Sequence, residues 1–202
     1  MSNQAGDSIG FVISACYTYT FANSIFFMIT SPGSESFSLD NIEFSWARTI
    51  CGVMCLVMAM RFFFGNNQYI SDVMNDAHKS PWRKFYQFAF IALQSAVLLI
   101  SSYFIPNTEA FIAVIAGLFF IEILWYALSI LVDPSSVLLE NEQDRRAFLI
   151  AEMVNGGFLV GVCVVWWLVP APVETKLLLV FVMFAINTVH DAMKNMPNYM
   201  GK

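Results

Sequence analysis

Charge is scarce in this chain. Of its 202 residues only 12% are Asp, Glu, Lys or Arg, against about a quarter in ordinary soluble domains. With 58% of residues hydrophobic, a soluble domain of this length could not bury its apolar side chains and still cover itself with polar ones. The same figures exclude intrinsic disorder. Net positive charge is also missing: the formal charge is −5, which argues against a nucleic-acid-binding surface, and no direct nucleic-acid contact is expected.

Chemistry-bearing motifs are scarce as well. Two histidines leave little room for a catalytic triad, a di-metal site or haem ligation. H-E-x-x-H, G-x-S-x-G, a Walker lysine loop and G-x-G-x-x-G are all absent, so the expectation is no enzyme, no catalytic residue, no cofactor and no metal. The potassium-filter signature TVGYG and an arginine-every-third-residue voltage sensor are missing too. The four cysteines, Cys16, Cys51, Cys55 and Cys163, fall inside apolar runs without ligand spacing and read as packing residues. No basic segment with a cleavage site precedes the first apolar run, so no removable leader is expected.

What the chain has is long, non-alternating apolar runs rich in Phe (20), Met (11) and Trp (5). They point to an all-α, polytopic helical membrane protein, folded as a single bundle over residues 1–202. Six segments approach the ~20 apolar residues a bilayer-crossing helix needs: 9–31, 44–64, 85–105, 109–132, 147–169 and 176–196. The first is the weakest, being rich in Ser, Thr, Tyr and Asn. Asp40 and Glu43 suit a capping box before the second, and Ser80-Pro81 suits a helix start before the third. Pro106-Asn-Thr reads as a tight hairpin that makes the third and fourth helices antiparallel neighbours. Pro170 and Pro172 end the fifth, and Pro197 stops the sixth.

With six spans, Arg61, Lys79, Arg83, Lys84, Arg145, Arg146, Lys194 and Lys202 collect on one side, leaving Arg48 and Lys176 on the other. The positive-inside rule then places both termini and the 65–84 and 133–146 segments in the cytoplasm. Residues 65–84 carry Tyr69, Ile70, Val73, Met74 and Ala77 at helical spacing. They form either an interfacial amphipathic helix or a cytosolic continuation of the second helix. In Arg61-Phe-Phe-Phe-Gly-Asn-Asn-Gln-Tyr, Gly65 and Asn66 read as the cap that closes that helix, with Arg61 reaching lipid phosphates. Alternatively Arg61, Lys79, Arg83, Lys84, Arg145 and Arg146 form a basic cytoplasmic collar for an anionic ligand or a soluble protein partner.

Several residues are out of place in lipid. Glu122 lies near the middle of the fourth span, where a charge costs at least ~2.5–3.5 kcal/mol. Glu122, Tyr126, Ser129 and Asp133 fall on one helical stripe. The stripe is either a proton or ion path or, with Glu122 protonated, a hydrogen-bonded link to a neighbouring helix. In an oligomer it would form a ring of carboxylates. Glu152, Asn155 and Gly156 make a second patch, in which Glu152, about one turn from Arg145 and Arg146, reads as an interfacial ion-pair partner. Gly157 and Gly161 form a G-x-x-x-G suited to close helix packing, within the bundle or between copies. In the last helix Asn187, His190, Asp191 and Lys194 share a face, His190 and Asp191 being the candidate pH-sensitive pair. Gln94 and Ser95 of the third span, and Ser14, Thr18, Asn23 and Ser24 of the first, suit interhelical hydrogen bonds or the wall of a water-filled path.

The run Arg61 to Asn66 closing an inner helix end, together with the small polytopic layout, resembles small bacterial membrane proteins that accompany antiphage defence systems. That resemblance implies a channel-like effector or a membrane sensor of a soluble partner in the bacterial inner membrane. The resulting expectation is a homo-oligomeric channel, tetrameric by preference, embedded in the lipid bilayer and gated by a cytoplasmic ligand or protein. The alternatives are a non-conducting sensor or anchor that docks an effector through its cytoplasmic loops, and a proton-coupled carrier using Glu122.

Overall fold

The computed structural model describes residues 3–30, 45–75, 81–132 and 142–199. Within them the chain is all-α, with six helices: α1 (Asn3–Ile29), α2 (Trp46–Asn75), α3 (Pro81–Tyr103), α4 (Thr108–Val132), α5 (Glu142–Cys163) and α6 (Val173–Tyr199). Five carry stretches long and apolar enough to cross a membrane: Phe11–Ile29, Trp46–Phe64, Lys84–Tyr103, Thr108–Ser129 and Val173–Met193. These helices fit an integral membrane protein.

The fifth expected span, 147–169, falls on α5 and the turn that follows it, which together run from Glu142 to Leu168; among the described residues their apolar stretch is Glu152–Leu168. The first span, the weakest by composition, holds up because its hydroxyls bond back to their own helix. Thr18 donates to the Ser14 carbonyl at 2.9 Å, Thr20 to Cys16 at 2.8 Å, Ser24 to Thr20 at 2.7 Å and Thr30 to Phe26 at 2.8 Å.

Two expected helix ends are not ends. α2 continues through Gly65 and Asn66 to Asn75, so these residues do not cap it. A glycine inside a helix costs only about 1 kcal/mol, and the helical spacing of Tyr69, Ile70, Val73 and Met74 carries the pattern onward. The second helix thus continues, as one of the two alternatives has it, rather than giving way to a separate helix. α6 likewise includes Pro197 in its final turns and starts at Val173, just after Pro172. Pro81 does begin α3. Asp40, Glu43, Lys79 and Asp133 lie outside the described residues.

The residues expected to form one bundle group into two compact units, Met1–Ile115 and Ala116–Lys202. In the first, α1, α2 and α3 each pack on the other two. Ile13 and Tyr17, Met54, Met58 and Phe62, and Ile91 and Leu98 form the core. Tyr17 meets Phe63 edge-on at 5.6 Å. The Ser24 end of α1 approaches α2 so closely at Gly52 that a Cβ there would overlap Met28 Cγ and lie 3.3 Å from the Ser24 carbonyl oxygen. Arg48, almost wholly buried, donates its guanidinium to the Thr30 carbonyl at the end of α1, satisfying an acceptor the helix leaves open. Cys51 and Cys55 are fully buried, as packing residues should be, and Cys55 Sγ lies 3.4 Å from Ser101 Oγ. The turn 104–107 leads into α4, where Asn107 Oδ1 accepts from the Ala110 amide at 3.1 Å.

In the second unit α5 packs on α6. α5 ends in a wider, π-type turn, Val164–Leu168, in which Val169 N donates to the Val164 carbonyl at 3.1 Å. Lys176 Nζ then donates to the Trp166 carbonyl at 2.9 Å. That bond ties the first turn of α6 to the end of the preceding helix across the Pro170-Ala-Pro172 link.

Candidate functional site

The second unit is built in layers, and printed distances set their order. Phe158 of α5 lies 4.6 Å from Phe119 of α4 and 6.2 Å from Phe184 of α6, ring centre to ring centre. All three rings are buried. One turn along each helix the aromatic layer gives way to a polar one. On α5 and α6, Asn187 Nδ2 donates to Asn155 Oδ1 at 3.0 Å, both residues being buried. On α4, Ile123 Cδ1 lies 3.9 Å from where a Cβ on Gly156 would be, which brings the adjacent Glu122 to the level of this amide pair. Glu122 is half-buried, with its Oε2 atom wholly enclosed. Glu152, one turn before Asn155, is buried at 9% exposure, again with Oε2 enclosed.

The two patches that the sequence separates, Glu122 on one helix and Glu152 with Asn155 on another, thus belong to one unit and to neighbouring levels of it. The stripe from Glu122 continues through half-buried Tyr126 to buried Ser129, whose hydroxyl donates to the Trp125 carbonyl at 2.8 Å. The side of α4 that is open is apolar instead, with Phe120 57% and Leu124 40% exposed. Glu122 therefore sits at the edge of its own unit's interior, not on the bare outer face of the helix.

Asn187 is drawn into the layer by its bond to Asn155. Thr188, which nothing in the sequence marks, adds a buried hydroxyl oxygen without a hydrogen-bond partner among the described residues. His190 and Asp191 follow within a turn and are half-buried. The glycine pair divides. A Cβ on Gly161 would meet Met183 Cε of α6, whereas one on Gly157 meets nothing within 4 Å. Gly161 alone serves close packing in the unit, and Gly157 faces outward.

Of the basic collar, Arg61 and Lys84 are half-buried in the first unit, with the Arg61 guanidinium 6.0 Å from the Phe62 ring centre. Arg83, Arg145 and Arg146 lie on helical backbone, but their side chains are outside the described part, and Lys79 is outside it altogether.

The chemistry available is that of two carboxyl groups and a carboxamide pair held in an apolar surround. Such a layer can exchange protons or coordinate a small cation transiently. No family model, no curated protein and no solved structure matches the chain.

Proposed function

We propose that the chain is a channel-like membrane protein that passes protons or small cations through the polar layer of its second unit. It works as a homo-oligomer in a bacterial inner membrane, with both termini cytoplasmic and α5 completing a sixth crossing. The observation that carries the reading is the enclosure of Glu122 and Glu152 on neighbouring levels around the Asn155–Asn187 bond. Acids kept at membrane depth are costly and mark ion or proton paths. The aromatic cluster Phe119–Phe158–Phe184 next to that layer is placed to act as a hydrophobic constriction, which gates by excluding water.

The inward position of Glu122 favours one path through each protomer over a ring of carboxylates about a symmetry axis. The excess of Lys and Arg on one side supports the orientation, and the same excess would let a cytoplasmic anionic ligand or protein gate the path. Purified protein in liposomes should dissipate a pH or cation gradient, and Glu152→Gln should slow it while leaving assembly unchanged. Intact gradients with the wild-type protein, under both signs of potential, would remove the reading.

A second reading rests on α2. Its thirty residues span about 45 Å, some 15 Å more than the hydrocarbon core. The helix therefore projects beyond Phe64 as a post on which a soluble effector could dock, and the chain would then be a non-conducting sensor or anchor. Deleting the projection while keeping Trp46–Phe64 separates the two: it abolishes a docking function and leaves conduction through the second unit in place.

A further inference from the structure

The interior of the first unit carries a stripe of polar side chains. α3 buries Gln87, Gln94 and Ser101 at seven-residue intervals, with Ser95 and Ser102 beside them at the same interval. One buried stripe of hydrogen-bonding side chains thus runs along most of an apolar, membrane-length helix. Its serines are committed: Ser95 donates to the Ile91 carbonyl at 2.8 Å, Ser101 to Leu98 at 2.6 Å and Ser102 to Leu99 at 2.6 Å. Two of these serines also pair across to α1. Ser95 Oγ lies 3.3 Å from Tyr17 OH, and Asn23 Nδ2 donates to Ser102 Oγ at 3.2 Å.

Gln94 is the exception. It is 1% exposed, and among the described residues neither its Nε2 nor its Oε1 has a hydrogen-bond partner. A carboxamide needs both an acceptor for its N–H groups and a donor for its oxygen, and leaving both unmet in an apolar interior is strongly unfavourable. The neighbouring serine protons are used on carbonyls and cannot supply the donor.

We propose that the three-helix unit holds an internal water site centred on Gln94, at mid-length of α3 and next to the Ser95–Tyr17 pair. Water is the smallest species that presents donor and acceptor together, and buried waters typically make about three bonds to otherwise unmet polar groups. The Gln94 amide supplies two of these and the lone pairs of the Tyr17–Ser95 pair a third. The site belongs to the first unit and is independent of the acids of the second.

The test is water-edited NMR on full-length protein in nanodiscs, with the glutamine side-chain amides labelled. Gln94→Met assigns the Gln94 signal by its loss, and Gln94→Leu serves if that variant does not assemble. The expected result is rapid magnetisation transfer from water to the Gln94 NH2 group, together with protection from a paramagnetic agent confined to bulk solvent. Absence of transfer overturns the site by showing a dry amide. Quenching by the agent overturns it by showing that Gln94 is open to bulk water rather than to a held molecule.

Discussion

Asn187 Nδ2 lies 3.0 Å from Asn155 Oδ1, with the two side chains 2% and 3% exposed. This bond joins α5 to α6 in the middle of an apolar unit. It buries two carboxamides at the level of the acid of α4, where an isolated polar group would be penalised. The stability and the proposed function of the second unit therefore meet at the same pair.

Replacing one partner should cost more than replacing both. Asn155→Leu leaves the Asn187 amide buried without its acceptor and should destabilise by about 1–3 kcal/mol. The double variant Asn155→Leu/Asn187→Leu should recover part of that loss. A double-mutant cycle from thermal unfolding in detergent should return a coupling of ~0.6–2 kcal/mol, the range for hydrogen bonds between membrane helices. Additive effects would mean that the bond contributes nothing.

The glycines divide by what a methyl group would meet. Gly52→Ala drives Cβ into Met28 Cγ, which clears it only by changing rotamer in a packed interface, and brings it to 3.3 Å from the fixed Ser24 carbonyl oxygen; it should cost about 1–3 kcal/mol as overpacking. Gly161→Ala meets only Met183 Cε, the free end of a flexible chain, and should be tolerated. Gly157→Ala meets nothing and should gain ~0.5–1 kcal/mol from helix propensity. Melting temperatures of the three variants should rank in that order, Gly52→Ala lowest.

Much of this was legible in the sequence because it depends on local pattern. Apolar runs of about twenty residues show as helices, and Pro81 and Thr108 mark starts that composition and turn chemistry reveal. Gly65 and Pro197 carry local breaker signals yet end no helix, because the signal is outweighed by continuing helical periodicity at the first and by tolerance of proline in a last turn at the second. The role of Gly52 could not be read at all, since it depends on Met28 and Ser24 of another helix. Asn155 and Asn187 were each visible as polar residues in apolar spans, but their pairing is tertiary information. The inward turn of Glu122 is tertiary for the same reason.

Phe158→Ala should act twice. The ring packs between Phe119 and Phe184, so its removal should destabilise by about 3–5 kcal/mol. It should also open the constriction and raise flux per assembled protein in liposomes. Lower flux at equal assembly would show that the rings do not close the path.

Lys176→Met should act locally. Without the bond to the Trp166 carbonyl, amide exchange over 164–172 should quicken and the Trp166 emission shift. The cost should be at most ~1.5 kcal/mol, the low end for a charged donor, since Lys176 is only half-buried. Unchanged exchange would show that the proline link holds this corner by itself.

Proton flux through purified Glu122→Leu protein, reconstituted beside the wild type and matched for assembly by sizing, bears most directly on the role of the enclosed acids. Loss of flux with assembly preserved is expected if Glu122 carries the path. Equal flux in the two proteins would contradict that, and would leave Glu122 as a residue that only holds helices together.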